Sequence, residues 1–327
     1  MIETMLLAAG MSTRLYPLTQ HIPKPLLPFL DRKLLNFTLD YLQHFGVDKI
    51  CTNAHHGKSP FMAELATSHQ VEIKPYIEDE IMGTGGGIKN MRPFITQDDF
   101  MVVNCDFITD IDLKKAYEFH VQQKALATLV LVEHAEQKRY GEVGIDARHR
   151  LVAFPKRPHQ AERIARRGLF TGIHFINKKL FDRMPDVAKF CIVNDVYQQL
   201  VEKNEAIFGY LADGRWMDVG EKDVYAETQF ELLNHPMPWM KKMSILNSAP
   251  ATLNLKITGP VLFQPTNDHA TAFDPEIQLG PNVILGAGTK LGQRISLKNC
   301  ILFPNSVVQA DTTLENVIVM KDEIVPF

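Results

Sequence analysis

Over the first 132 residues, short apolar runs alternate with stretches whose apolar residues recur at helical spacing. The runs at 5–9, 49–53, 71–76, 100–104 and 127–132 read as strands. Between the first two, Leu35, Leu39, Leu42 and Phe45 fall on one helical face until Gly46, where a permissive backbone stops the helix. Ser59-Pro60 supplies an N-cap followed by a first-turn proline for the next helix. Strand–helix alternation of this kind predicts an α/β fold whose mostly parallel sheet carries helices on both faces. Ligands in such sheets sit beyond the carboxyl ends of strands, which is where Gly10 and Asp106 fall.

The pattern then changes. Residues 143–146 and 151–154 flank a polar turn and read as a hairpin. A strand (172–176), a helix (195–203), a strand (206–211) and a helix (221–233) follow, and Pro236 and Pro238 close the first domain. Further on, Phe273, Leu279, Leu285, Leu291, Leu297 and Phe303 stand six apart. Ile277, Val283, Thr289, Ile295, Ile301 and Val307 form a second series at the same period, with Gly280, Gly286 and Gly292 at one turn position. A hexapeptide period predicts a short left-handed parallel β-helix of about two coils, each repeat being one short strand and a turn. The expected division is 1–235, a linker at 236–255, and the repeat region 256–327.

Composition adds little. A chain of 327 residues is a soft prior for two domains, and 45% apolar with 22% charged residues is ordinary for a soluble protein. A formal charge of −3 gives no reason to expect a nucleic-acid or membrane partner. Cys51, Cys105, Cys191 and Cys300 have no paired spacing for zinc or a disulfide framework. There is no basic, apolar leader at the N-terminus, so a reducing cytoplasm is the expected location.

Most of the chemical information lies in Leu7-Ala8-Ala9-Gly10-Met11-Ser12-Thr13-Arg14-Leu15-Tyr16-Pro17-Leu18-Thr19 and in Pro23-Lys24-Pro25-Leu26. An apolar strand breaks at Gly10 into a turn whose amides can face an anion, and two cations follow on a proline-stiffened segment. This is neither a Walker A loop nor a dinucleotide-binding glycine loop. It resembles the signature of nucleotidyltransferases that make NDP-sugars from a sugar 1-phosphate and a nucleoside triphosphate, with Ser12 at a position that is Gly or Ser. The resemblance implies a Rossmann-like domain, with Arg14 and Lys24 gripping the triphosphate and residues 7–13 lining the nucleotide.

Two further motifs occur in the family's order. Asn104-Cys105-Asp106 resembles its Asn-Gly-Asp metal motif, with Cys in place of Gly, and Trp216-Met217-Asp218-Val219-Gly220 resembles its Trp-x-Asp-Ile/Val-Gly motif. Both imply carboxylates for Mg²⁺, an ion that takes hard oxygen ligands. Asp110 and Asp112 read as turn and helix-cap residues. In Met82-Gly83-Thr84-Gly85-Gly86-Gly87, glycines before a helix would let backbone approach a base, and the resemblance puts the nucleobase there. On the sugar side the resemblance implies Tyr140, Gly141, Arg157, Thr171 and Gly172. The family usually has Glu-Lys-Pro after the hairpin, and this chain has Lys156-Arg157-Pro158. Lys156 cannot accept hydrogen bonds as glutamate would, so the identity of the sugar is open. Asn194 and Asp195 border the expected pocket, Asp195 reading equally well as an N-cap. His55-His56 reads as a strand-end loop.

The leading expectation is therefore a Mg²⁺-dependent sugar-1-phosphate nucleotidyltransferase. The motifs are most similar to a branch acting on mannose-, heptose- or N-acetylmuramate-type 1-phosphates, with GTP favoured and UTP the alternative. The repeats alone would suggest an acyltransferase, but only His269 lies near them, before their regular part. A non-catalytic regulatory relative is the third class, opposed by the joint presence of Arg14, Lys24, Asp106 and Asp218. Open coil ends predict self-association through the C-terminal region.

Overall fold

The structure, a computed structural model, describes residues 2–327 apart from 11, 56–57, 68–70, 134–140, 156–159, 242, 244, 247–255 and 264–275. The chain forms two compact units that are not consecutive in sequence. Met1–Met11 joins Thr38–Trp216 in the first, and Ser12–Phe37 joins Met217–Phe327 in the second.

The first unit is built on nine strands: β1 (Thr4–Leu7), β2 (Lys49–Ala54), β3 (Glu72–Ile77), β4 (Asp99–Asn104), β5 (Ala127–Val132), β6 (Glu142–Ile145), β7 (Leu151–Ala153), β8 (Arg166–Asn177) and β9 (Ile207–Leu211). Their order is β7-β6-β8-β4-β1-β2-β3, with β5 paired to β8 and β9 to β5. Parallel pairs join β1 to β2 and β4, β2 to β3, and β5 to β9. Antiparallel pairs join β8 to β4, β5 and β6, and β7 to β6. Only β7 and β8 reverse the common direction, so the sheet is mixed and mostly parallel. Strands inside such a sheet are covered on both faces, and all six residues of β5 are buried. On one face, Met5, Val102, Leu129 and Leu131 share a core with Ile88, Met91, Ile192, Val196 and Tyr197.

The helices are α1 (Leu34–His44), α2 (Lys58–Leu65), α3 (Gly83–Asn90), α4 (Leu113–Gln122), α5 (Gln198–Glu202) and α6 (Lys222–Asn234). Asp112 caps α4, its carboxylate accepting the Lys114 and Lys115 amides at 3.0 and 3.2 Å. Three local readings need correction. The strand expected at 172–176 is the end of the 12-residue β8, whose register against β5 shifts between Phe170 and His174. That bulge, at Thr171-Gly172, interrupts the alternation that marks a strand. The helix expected at 195–203 is present but starts three residues earlier, as a wide π-helix over Ile192–Tyr197 that continues into α5. Asp195 is consequently not its N-cap; its carboxylate reaches back to the Cys191 amide at 2.7 Å.

In the second unit, single 3₁₀ turns at Thr13–Leu15 and Lys24–Leu26 precede a tight hairpin of Pro28–Phe29 with Arg32–Lys33. This segment is fastened to α6. Phe29 meets Phe37 and Tyr225 edge-on at 5.3 and 5.8 Å. The Tyr225 hydroxyl donates to the Pro28 carbonyl, and the Leu30 amide donates to Gln229 Oε1 at 2.7 Å.

The C-terminal part of this unit stacks parallel strands. Gln278 pairs with Ser296 and Ser296 with Thr313, offsets of 18 and 17 residues; Val283, Cys300 and Val317 follow one another at 17. Asn282, Asn299 and Asn316, all with positive φ, form a side-chain ladder at the corner with bonds of 3.1 and 2.9 Å. The 17-residue step changes which residues face inward. The sequence series places Ile301 and Val307 in the apolar column; Ile301 is buried but outside the interior cluster, which contains Cys300, Leu302 and Val308, and Val307 is exposed. One residue fewer per coil moves the column by one position, and a one-residue slip exchanges the faces of a strand. Gly286 and Gly292 have no room for a Cβ, which would lie 2.5 and 2.4 Å from the Pro304 and Ala310 nitrogens. Phe273 and His269 lie outside the described residues. Among the described residues, no helix is long and apolar enough to cross a membrane.

Candidate active site

In the first unit the carboxyl ends of β1, β2 and β4 lie side by side, with Leu7 in register with Asn53 and Asn104. Beyond Leu7 the chain leaves the sheet. Ala8 is half-buried, Ala9 buried and Gly10 exposed, and nothing approaches the position a Gly10 Cβ would take. The Ala8 amide is already used: it donates to Asn53 Oδ1 at 2.9 Å. Asp106, half-buried, follows β4 by two residues, and Cys105 beside it is buried. Gly172 of the Thr171-Gly172 bulge packs on Asn104, the last residue of β4. A Cβ on Gly172, whose φ is +83°, would lie 2.7 Å from Asn104 Nδ2. The Thr171 hydroxyl donates to the Val130 carbonyl at 2.9 Å and accepts the Ile173 amide at 3.2 Å, while its carbonyl accepts Trp216 Nε1 at 3.0 Å. The bulge thus presents the Gly172 backbone, and not the Thr171 side chain, to Asn104 at the end of β4.

The glycine run differs from its sequence reading. The glycines do not precede a helix; they form its first turns, α3 starting at Gly83. Their smallness admits a neighbouring segment. A Cβ on Gly85 would strike the Phe190 ring at 2.3 Å, and one on Gly86 the Ala188 carbonyl oxygen at 2.2 Å. The Gly85 amide donates to the Phe190 carbonyl at 3.0 Å, and Thr84 Oγ1 accepts the Ile192 amide at 3.1 Å. Met82 and Gly83 remain half-buried and Thr84 exposed. Gly141 has φ +93° and packs on Pro155.

In the second unit, Arg14 lies on the 3₁₀ turn Thr13–Leu15, and its Nη1 is 3.1 Å from Glu221 Oε1. Asp218 and Arg14 converge on Gly220: a Cβ there would be 2.9 Å from Asp218 Oδ2 and 3.0 Å from Arg14 Nη2. Glu221 holds the N-cap position of α6, and Asp218 does not cap that helix; its carbonyl accepts Thr228 Oγ1 at 3.4 Å. A cavity of about 630 Å³ is lined by Arg14, Glu221, Lys222, Asp223, Pro326 and Phe327. Lys24 is buried on its own turn, and Ser12 has φ +50°, its carbonyl accepting the Thr19 hydroxyl at 2.8 Å.

The expected residues thus divide, with Leu7 to Gly10, Met82 to Gly85, Asp106, Gly141, Thr171 and Gly172 in the first unit, and Ser12, Thr13, Arg14, Lys24 and Asp218 in the second. Met11, Tyr140, Lys156, Arg157 and His56 lie outside the described residues. Asp110 has a local duty, accepting the Arg215 amide at 2.6 Å. For a metal, Asp106 in the first unit and Asp218 in the second each carry the hard carboxylate oxygens that Mg²⁺ takes, and Cys105 beside Asp106 is buried. Three neighbours escaped sequence reasoning: Glu221, Phe190 and Glu78. Glu221 has the signal of an acidic residue directly after the Asp218 motif, and Glu78 that of one just before the glycine run. Phe190 has none, because its contact is long-range.

The family model described as Nucleotidyl transferase matches residues 3–235. A UTP–glucose-1-phosphate uridylyltransferase of Synechocystis is 25% identical over 93% of this chain and 84% of its own length. A D-glycero-α-D-manno-heptose 1-phosphate guanylyltransferase of Aneurinibacillus thermoaerophilus is 28% identical over 72% of this chain and its full length. Among solved structures, HddC from Yersinia pseudotuberculosis superposes with a TM-score of 0.61 over 71% of this chain and all of its own, at 23% identity, which speaks for the fold.

Proposed function

The chain belongs to the nucleotidyl transferase family, and on that premise we propose that it transfers a nucleotidyl group from a nucleoside triphosphate to a sugar 1-phosphate, releasing pyrophosphate. The observation that carries this reading is the convergence of Arg14 and Asp218 on Gly220, a cation and a carboxylate from the two most specific motifs. A sugar phosphate oxygen attacks the α-phosphorus in line; the new P–O bond forms as the bond to the bridging oxygen of the β-phosphate breaks. The nucleophile is already anionic near neutral pH, its second pKa being about 6, so no general base is needed. Catalysis then rests on positioning and charge neutralisation. Arg14 and Lys24 hold the triphosphate and offset charge at the α-phosphate. The turn at Gly10 brings backbone to the phosphates, and Met82 to Gly85 border the base. Tyr140, Gly141, Arg157, Thr171 and Gly172 are assigned to the sugar phosphate. Asp106 and Asp218 would hold Mg²⁺, which when bound supplies further neutralisation of phosphate charge.

GTP with a mannose- or heptose-type 1-phosphate is our finer reading, supported by the similarity to a heptose 1-phosphate guanylyltransferase. UTP is the alternative, since a uridylyltransferase is nearly as similar. We read the C-terminal coils as a hexapeptide-type structural module that mediates self-association, and the cytoplasm as the location. The test is pyrophosphate release from GTP, UTP, ATP and dTTP against mannose, heptose, glucose and N-acetylmuramate 1-phosphates, with and without Mg²⁺. GTP with a mannose-type acceptor should give the highest kcat/KM, lost in the Asp106→Asn and Asp218→Asn variants. Preference for UTP would overturn the finer reading. Silence in every combination would favour a non-catalytic relative.

A further inference from the structure

The C-terminal coils carry a second apolar column that their own interior does not use. Val283, Leu285, Cys300 and Leu302 belong to the interior cluster. Side chains alternate across a strand, so the residues between them face outward. Yet Leu262, Ile284, Ile301, Ile318 and Val325, aligned in register across five strands, are all at most 4% exposed. An outward column that is buried has a cover, and two contacts identify it as α6. The Phe230 and Phe327 rings lie 6.1 Å apart, and Asn234 Nδ2 donates to Asn282 Oδ1, the start of the asparagine ladder, at 3.3 Å.

The same helix holds the candidate phosphate-binding segment. Its fully buried Tyr225 and Gln229 bond to Pro28 and Leu30, and Glu221, directly before its first residue, pairs with Arg14. The last strand brings the coils to that end of α6. After Thr313–Met320 the chain turns back at Lys321, whose φ is +58°, into the antiparallel strand Glu323–Pro326. The Phe327 amide then donates to the Asn316 carbonyl at 3.4 Å. This return places Pro326 and Phe327 in the wall of the cavity of about 630 Å³, whose remaining lining is Arg14, Glu221, Lys222 and Asp223.

Arg14 gains from such a wall. Its side chain is 60% exposed and that of Glu221 26%. An ion pair so open to water is weak, because solvent screens it and the long arginine side chain keeps its rotamers. An apolar wall on one side lowers the local dielectric and strengthens the pair. Resting on the reading that Arg14 grips the triphosphate, we infer that the C-terminal coil is part of the nucleotide site, with Phe327 a positioning residue that keeps the Arg14–Glu221 pair in place. Phe327 acts through Arg14, and its effect falls on the nucleotide and not on the sugar phosphate. This role is separate from any self-association of the coils.

The experiment compares Phe327→Ala and Phe327→Leu in the full-length chain with Ile324→Ser, a half-exposed position on the same strand that does not line the cavity. Arg14→Ala and the double variant R14A/F327A complete a cycle. GTP and UTP affinities are measured by calorimetry without acceptor, alongside KM for the sugar 1-phosphate, mass by light scattering and thermal unfolding. Phe327→Ala should weaken nucleotide binding about fivefold, the upper scale of one exposed ion pair, and Phe327→Leu about twofold. Ile324→Ser should bind as wild type does, and the sugar 1-phosphate KM of Phe327→Ala should stay within about twofold. In the Arg14→Ala background the loss from Phe327→Ala should disappear, because the group it acts through is gone. Normal nucleotide binding by Phe327→Ala overturns the inference. So does a loss that persists undiminished without Arg14, which is the behaviour of a purely structural ring, and so does a loss that appears only with a lower mass, which assigns the effect to assembly. If Phe327→Ala does not fold, Phe327→Leu decides: a loss that vanishes with Arg14 supports the inference, and no loss or an undiminished one refutes it. Wild-type protein that binds neither nucleotide overturns the functional reading and this inference with it, a result distinct from wild-type binding that Phe327→Ala leaves unchanged.

Discussion

Gly220→Ala tests the proposed chemistry at the point where two candidate groups meet. Gly220 lies outside the left-handed region, so alanine is compatible with its backbone, but the new methyl would stand 2.9 Å from Asp218 Oδ2 and 3.0 Å from Arg14 Nη2. Ordinary contacts to carbon are about 3.5 Å, so both groups must withdraw by roughly 0.5–0.6 Å. Each is the end of a flexible side chain, and Arg14 is largely exposed, so the fold should adjust. Glycine to alanine also removes freedom from the unfolded chain, worth about 0.4–1 kcal/mol in favour of the variant, which should leave thermal stability near that of wild type. Catalysis has less tolerance. A misplacement of about 1 Å can cost on the order of 100-fold, so half of that should lower kcat/KM about tenfold, or about 1.4 kcal/mol in the barrier. The assay is continuous pyrophosphate release with the best substrate pair from the grid above, titrated with Mg²⁺, together with a melting curve. The Mg²⁺ concentration for half-maximal rate should rise, because the displaced carboxylate is one of its proposed ligands. A folded variant with wild-type kcat/KM and unchanged Mg²⁺ dependence would remove Arg14 and Asp218 from the reaction as drawn here.

Two further outcomes are expected. Val308→Asp puts an unpaired carboxylate into the C-terminal interior and should cost about 3 kcal/mol or more, whereas Val307→Asp on the exposed neighbour should change stability by no more than about 0.5 kcal/mol. Equal losses in chemical denaturation would refute the 17-residue register. Burial lowers His174 to about 3, its Nδ1 lying 2.5 Å from the Tyr197 hydroxyl, which burial keeps protonated. An unfolded histidine takes up a proton near pH 6.5 and the folded one does not until about pH 3, so the unfolded state binds more protons in between. Stability should therefore fall as pH drops through that window, by up to about 5 kcal/mol. A pH dependence from urea unfolding that is unchanged in the His174→Phe/Tyr197→Phe variant would refute the assignment.

Local sequence determined the elements, and their order determined the class of fold. The run at 127–132 is the strand Ala127–Val132 because a strand buried on both faces must be apolar at every position. Asp112 was legible as a cap because capping is settled within three residues. The motif around Gly10, Arg14 and Lys24 pointed to the family that the comparison shows, because a signature of that length is contained in one local stretch. What the sequence did not decide depends on partners distant along it. The division into compact units assigns Ser12–Phe37 to the unit of α6, to which it is fastened through Phe29, Leu30 and Tyr225. The glycines of α3 read as an opening for a base, yet Gly85 and Gly86 are small because Phe190 and Ala188, a hundred residues on, occupy the space beside them. Val307 and Val308 are equally apolar in sequence, and only the length of the coil beneath them chooses which one is buried. Glu78 looks like one acid among several until folding brings Asn53 and Met82 to its two oxygens. Periodicity and capping are local energies that a short window already contains, whereas close packing and the pairing of buried polar groups exist only once distant segments share the same space.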